Sequence, residues 1–291
     1  MVPNIFTRTF SQRDFDRFGA LSGDDNPIHV SPEFSARTRF GRTVSHGMLL
    51  YTAIHGLLCA QFPNFSAVTQ ELMFPNPTFA DEEITFTTQE IIGSGSNLSV
   101  KIILTKTDGM CVCESRTELA PRHISQESAA MRNETFSSDG TSNGTESNVA
   151  YKHLVIGQTA SVQRTFTPDD ITEFLRLAEL SAESSATHVA QPLFAGMISA
   201  LLGMTLPGKG TNYLKQRYTL FADALPDEEL TASVEIVRIR AEKALINLRT
   251  LCRAGERVIA DGEALVLAHA EASKAAVAAM PAATRRKSEG R

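Results

Sequence analysis

Apolar and polar positions fall along this chain in two successive rounds of one pattern. In each round a helix-rich front precedes an apolar, buried helix, and several strand-like runs follow. Those runs cover residues 99–104 and 110–119 in the first round, and 231–239, 244–252 and 258–267 in the second. The rounds overlay without a gap from Phe18–Val30 onto Leu177–Val189, pairing Leu21 with Leu180, Asp24 with Glu183 and His29 with His188. Further on, His46-Gly47-Met48 pairs with Ala195-Gly196-Met197, each leading into an apolar helix, and Asp81-Glu82-Glu83-Ile84-Thr85 pairs with Asp227-Glu228-Glu229-Leu230-Thr231. Between the rounds, residues 137–148 read SSDGTSNGTESN without one apolar side chain. Such a stretch buries too little to offset its ordering entropy. The pattern therefore predicts an N-terminal domain at 1–124, a flexible polar linker at 125–150 and a C-terminal domain at 151–270. An Ala-rich, basic tail at 271–291 completes the chain.

Composition narrows the class without fixing it. A chain of 291 residues suits two ordinary domains or one large one, and 42% hydrophobic with 21% charged residues describes a soluble globular protein. A net charge of −5 gives no basic footprint for nucleic acid. No apolar run approaches the roughly 18–20 residues of a membrane span, and Met1-Val2-Pro3-Asn4 lacks a signal-peptide pattern. Neither a membrane nor a nucleic-acid partner is expected, and the expected location is cytoplasmic. Cys59, Cys111, Cys113 and Cys252 show no metal-ligand spacing. Cys111-Val112-Cys113 reads as a strand with both sulfurs on one face, acting as small apolar fillers.

Candidate chemistry gathers in Gly23-Asp24-Asp25-Asn26-Pro27-Ile28-His29 and, downstream, Ser45-His46-Gly47-Met48. Pro27 fixes its own φ and pushes Asn26 out of helical space, so Asp24 and His29 are expected on an irregular loop. An Asp and a His converging on one point can share a water, which general acid–base chemistry requires. An Asx turn with a surface His is the bland alternative.

The segment from Phe18 to His29, with Ser35 six residues later, resembles the hydratase 2 motif of the MaoC-like (R)-specific enoyl-CoA hydratases. His46-Gly47-Met48-Leu49-Leu50 is similar to the family's His-Gly turn at the start of its central helix. The resemblance implies an α+β double hot-dog fold, two curved antiparallel sheets each wrapping a helix. It also implies reversible addition of water to a trans-2-enoyl thioester, giving the (3R)-hydroxyacyl product, without cofactor or metal. Coenzyme A or an acyl carrier protein would carry the acyl group, in fatty acid or polyketide metabolism, and the chain would act as a monomer or homodimer.

Residue roles follow from that resemblance. Asp24 and His29 form the catalytic dyad, and His29 suits proton exchange because an unperturbed imidazole titrates near 6.5. The Gly47 N–H, at a helix start, takes the oxyanion position. Asn26 orients the loop or is a plain turn former; His46 shapes the turn; Thr52 supports the thioester end or is an ordinary core residue. Arg37, Arg39 and Arg42 face phosphates or an acidic carrier, unless they are a solvated loop.

The second round replaces the motif with Ala182-Glu183-Ser184-Ser185-Ala186-Thr187-His188 and shortens the stretch before its apolar helix. It is expected to be a structural partner that has lost catalysis. A hot-dog acyl-CoA thioesterase, or a non-catalytic subunit binding acyl thioesters, are the rival readings.

Overall fold

Two short polar signatures set the front of each half. Ser11 accepts from the Asp14 N–H while the Asp14 carboxylate accepts from the Ser11 N–H at 2.8 Å. Thr167 and Asp170 repeat this reciprocal cap, again at 2.8 Å. Such capping boxes satisfy donors that the first helical turn leaves unpaired. The buried rings of Phe10 and Phe166 precede them, and the carbonyls of these residues accept from Asp81 and Asp227 at 2.8 and 2.9 Å.

A computed structural model describes residues 5–122, 154–180 and 187–268. The expected linker at 125–150, the tail at 271–291 and Glu183 lie outside the described residues. The first half comprises β1 (Ile5–Thr9), α1 (Gln12–Ser22), α2 (Pro27–Val30), α3 (Pro32–Ser35), α4 (Gly47–Gln61), β2 (Phe65–Met73), β3 (Glu83–Ser94), β4 (Asn97–Lys106) and β5 (Cys111–Pro121). The second comprises β6 (Thr159–Thr165), α5 (Pro168–Leu177), α6 (Gln191–Ala200), a π-helical turn (Leu201–Thr205), β7 (Asn212–Leu220), β8 (Glu229–Arg240), β9 (Leu245–Ala254) and β10 (Arg257–Leu267).

The strands form one ten-stranded sheet in the order β1-β3-β4-β5-β2-β7-β10-β9-β8-β6. Every neighbouring pair is antiparallel. Read from the middle outwards the order is the same in both directions, so β2 and β7 form a seam between equivalent halves. Across it Glu71 pairs with Arg217, and Gln70 with Tyr218. Gln70 and Gln216 are both fully buried, and each donates to a hydroxyl at 2.9 Å, Gln70 to Ser115 on the neighbouring β5 and Gln216 across β10 to Thr250 on β9. Helix α4 is buried around most of its circumference, as an enclosed helix must be when its sequence is apolar on all sides. The architecture is a double hot-dog. No helix among the described residues is long and apolar enough to cross a membrane.

The structure corrects three details of the repeat. The capping boxes align Phe18 with Phe174 and Ser22 with Ala178, so the helical fronts match three residues away from the overlay of Leu21 on Leu180. Three residues is nearly one helical turn and brings the same apolar face round again, which is why both overlays fit the sequence. The second central helix starts at Gln191, five residues before Gly196, with Ala190 at the cap position that His46 holds in α4. Cys113 is fully buried, but Cys111 is only half-buried beside a register shift opposite Leu104 and Thr105.

Gly196 lies inside α6, and its role is close packing. A Cβ there would sit 2.3 Å from the Ser22 Cβ at the end of α1. The converse contact joins α5 to α4, where a Cβ on Gly56 would meet the Ala178 carbonyl oxygen at 2.0 Å. The front of each half therefore packs on the central helix of the other. Gly196→Ala and Gly56→Ala should each destabilise the fold by about 1–3 kcal/mol in urea unfolding, because the overlap exceeds the gain in helix propensity. Only Gly196→Ala should also impair the site that follows Ser22. Equal activity in the two variants would separate that contact from the site.

Candidate active site

Asn26, expected on an irregular loop, caps a single helical turn. Its side-chain oxygen accepts from the Ile28 N–H at 3.3 Å, and Pro27 occupies the first position of α2, where a missing N–H costs nothing. Asp24 lies just before this turn and His29 within it. Ser35, buried in α3, donates to the carbonyls of Pro27 and Ile28 at 3.3 and 3.0 Å and holds the turn from behind. The motif is thus two short capped turns, and its fixed residues are the ones that close them.

One ligating atom from each of Asp24, His29 and His46 lies within 4.8 Å of the others. Their hydrogen bonds fix the ring tautomers. His29 Nδ1 lies 2.7 Å from the Val44 carbonyl oxygen, which only accepts, so Nδ1 carries the proton and a neutral His29 leaves Nε2 free as a base. His46 Nε2 likewise donates to the Asp24 backbone carbonyl at 2.9 Å. The two rings stack with centroids 4.0 Å apart and planes 30° apart, and Phe18 closes on His46 edge-on at 5.1 Å.

Burial dominates the electrostatics. It raises the Asp24 pKa above the ordinary carboxylate value, against the lowering effects of His29, the Ser199 hydroxyl and the Asn26 N–H. The last two donors fall outside full hydrogen-bond geometry, and both carboxylate oxygens are buried without a partner. Burial, reinforced by His29, pushes His46 well below 6.5 and keeps it neutral.

Beside these groups lies a cavity of about 340 Å³, lined on one side by Asn26, His29, Gly47 and Phe74 and on the other by Ser199, Leu202, Gly203 and Tyr213. Gly47 opens α4, and its N–H has no partner within the described residues, so it points positive helix-end charge into the cavity. A Cβ on Gly47 would lie 2.9 Å from the Phe74 ring, which leaves room for glycine only.

The structure places the other expected residues unevenly. Thr52 is fully buried, donates to the Met48 carbonyl within its own helix at 3.0 Å, and does not line the cavity. Arg39 lines it, with its guanidinium over Phe40 at 4.7 Å. Arg42 faces away to the Ala80 carbonyl and Glu82, and exposed Arg37 is not among the lining residues. His188 is half-exposed beside Asp223 at 3.5 Å and is likewise not a lining residue. The second half nevertheless supplies a wall of the site. Ser199 approaches Asp24, and Gly203 is small because Asn26 Nδ2 lies 2.8 Å from where its Cβ would be. Sequence reasoning missed these residues because they reach the site only across the junction between the two halves.

Residues 3–104 match the family model described as MaoC like domain. The chain is 33% identical over 132 residues to the (R)-specific enoyl-CoA hydratase of Rhodospirillum rubrum, covering 40% of this chain and 90% of that one. It is 40% identical over 81 residues to the (R)-specific enoyl-CoA hydratase of Aeromonas caviae, covering 27% of this chain and spanning 60% of that relative's length. Over 91% of this chain and 95% of the other, the fold matches a conserved hypothetical protein from Mycobacterium tuberculosis with a double hotdog fold, at a TM-score of 0.65 and 12% identity.

The raised Asp24 pKa sets a testable sign. A carboxyl whose folded-state pKa is raised favours the folded state at acid pH, and this contribution is lost as pH rises through the folded-state value. Asp24→Asn should therefore stabilise the protein at pH 7 by about 0.5–2 kcal/mol, with the gain shrinking on acidification. Urea unfolding at neutral and acid pH reads this directly. A variant less stable than wild type at pH 7 would show that the carboxylate is well satisfied where it lies.

Proposed function

The chain belongs to the MaoC-like dehydratase family, and from that membership we propose that it adds water reversibly to trans-2-enoyl thioesters, giving (3R)-hydroxyacyl thioesters. The observation that carries this reading is the approach of the Asp24 carboxylate to His29, whose Nε2 is left free beside a cavity. A water between them gives a proton to His29 Nε2 as its oxygen bonds to C3. The C2–C3 π electrons move onto the thioester oxygen, and the Gly47 N–H at the head of α4 stabilises that charge. The enolate then collapses by taking a proton at C2 from the His29 imidazolium, which restores the carbonyl and the neutral imidazole. Dehydration is the same path reversed.

His46 and Asn26 hold this arrangement, His46 by stacking and by its hydrogen bond to Asp24, Asn26 by capping α2. Arg39 faces the carrier portion of the substrate, coenzyme A or an acyl carrier protein. We assign Thr52, Arg37 and Arg42 to structure. The catalytic domain comprises residues 1–124 and its supporting domain 151–270, with a cytoplasmic role in fatty acid or polyketide metabolism.

Crotonyl-CoA and a longer enoyl-CoA, followed by loss of conjugation and by product stereochemistry, test the reaction. Asp24→Asn and His29→Ala should each lower turnover by roughly 10² or more. The double variant should lose little beyond either single, since groups sharing one water act as a unit. His188→Ala should leave turnover near wild type. Thiol release with the conjugated bond intact would instead make the protein a thioesterase.

A further inference from the structure

The turn after the π-helical segment has no role in the chemistry above, yet it borders the same cavity. Gly208 and Gly210 have φ of +98° and +87°, and Lys209 between them does not. Alternation in the sign of φ turns successive N–H groups to one side, the arrangement from which anion-binding concavities are built. The N–H groups of Lys209 and Gly210 have no partner within the described residues. The turn is closed by Thr211, whose hydroxyl donates to the Gly208 carbonyl at 2.6 Å, and is tied to the cavity wall by the Gly208 N–H on the Leu202 carbonyl at 3.1 Å.

Charge points the same way. Thr211 and Arg39 line the cavity from opposite halves of the chain, and no Asp or Glu is among the lining residues although the net charge is −5. Lys209 is exposed, and neither it nor Arg39 forms an ion pair among the described residues. Arg42 and Lys215, by comparison, are engaged with Glu82 and Glu71. A lining cation without an ion-pair partner, and a second beside the bordering turn, suit an anionic ligand.

We propose that the Gly208–Thr211 turn with Lys209, together with Arg39 on the wall of the same cavity, is a subsite for a phosphate of the substrate's thiol carrier. This rests on the thioester hydratase reading. It assigns the second half a part in substrate binding as well as in support. The shared chemistry is a phosphorylated pantetheine arm, which coenzyme A and carrier proteins both present.

The test compares enoyl thioesters of pantetheine, 4′-phosphopantetheine and coenzyme A on the full chain. Lys209→Ala and Arg39→Ala should each raise KM for the phosphorylated thioesters about fivefold, with kcat nearly constant, as expected for exposed charges. The preference for phosphorylated over plain pantetheine should fall by the same factor, and high salt should reduce that preference in wild type. A preference already seen with phosphopantetheine places the contact at the phosphate common to both carriers; one seen only with coenzyme A places it at the nucleotide. Equal losses on plain pantetheine thioester, or an unchanged preference, would overturn the subsite. Calorimetry of free coenzyme A binding decides the point independently of turnover. Wild type that hydrates none of the thioesters refutes the proposed reaction, while unaltered coenzyme A affinity in both variants refutes the subsite.

Discussion

Ser22 lies against Gly196 with no space for a methyl group between them, and the geometry of the site follows from that contact. The last turn of α1 is pressed onto the central helix of the opposite half, so the chain leaving it carries Asp24 directly into the junction between halves. There the carboxylate loses water on all sides, Ser199 approaches it from α6, and Asn26 is received by the bare backbone of Gly203. Every unusual feature of Asp24, its burial, its unpartnered oxygens and its raised pKa, depends on two helices meeting at glycine distance.

The seam between β2 and β7 makes this junction permanent. Hydrogen-bonded pairing from Thr69↔Thr219 to Met73↔Lys215 merges two five-stranded layers, and the covered edges would otherwise present unpaired donors and acceptors. Beneath it, Gln70 and Gln216 satisfy their amides with the hydroxyls of Ser115 and Thr250, so the centre of the sheet contains polar groups without leaving those amides unpaired.

What could be read in the sequence was whatever is encoded locally. Asp24, Asn26, Pro27 and His29 sit within six positions, although the irregular loop expected there is a helical turn capped by Asn26. Gly47 was legible as a helix start close to Asp24 and His29, where helix-end charge is exposed. The repeat was legible in outline, through its acidic turns at Asp81 and Asp227 and its strand-like runs. Its register was not, because a slip of nearly one turn preserves the apolar face of a helix. Ser199, Gly203 and the Gly208–Thr211 turn were hidden for a different reason. They reach the site only through contacts between segments about 170 residues apart in the chain, for which a single sequence carries no signal. Thr52 shows the opposite failure: a hydroxyl at a suggestive place, spent on its own helix.

Counted from the helix caps, Ser199 stands nine residues after Ala190, and His55 stands nine residues after His46. In an assembly of two identical subunits these would be one codon, and any change that shaped one pocket would be copied into the other. Joining the halves in one chain removes that constraint. Ser199 can remain beside Asp24 while its counterpart becomes a histidine packed on Phe174 and Cys59. Each wall of the cavity is then heritable separately, and its shape can drift through one half while Asp24 and His29 in the other stay untouched.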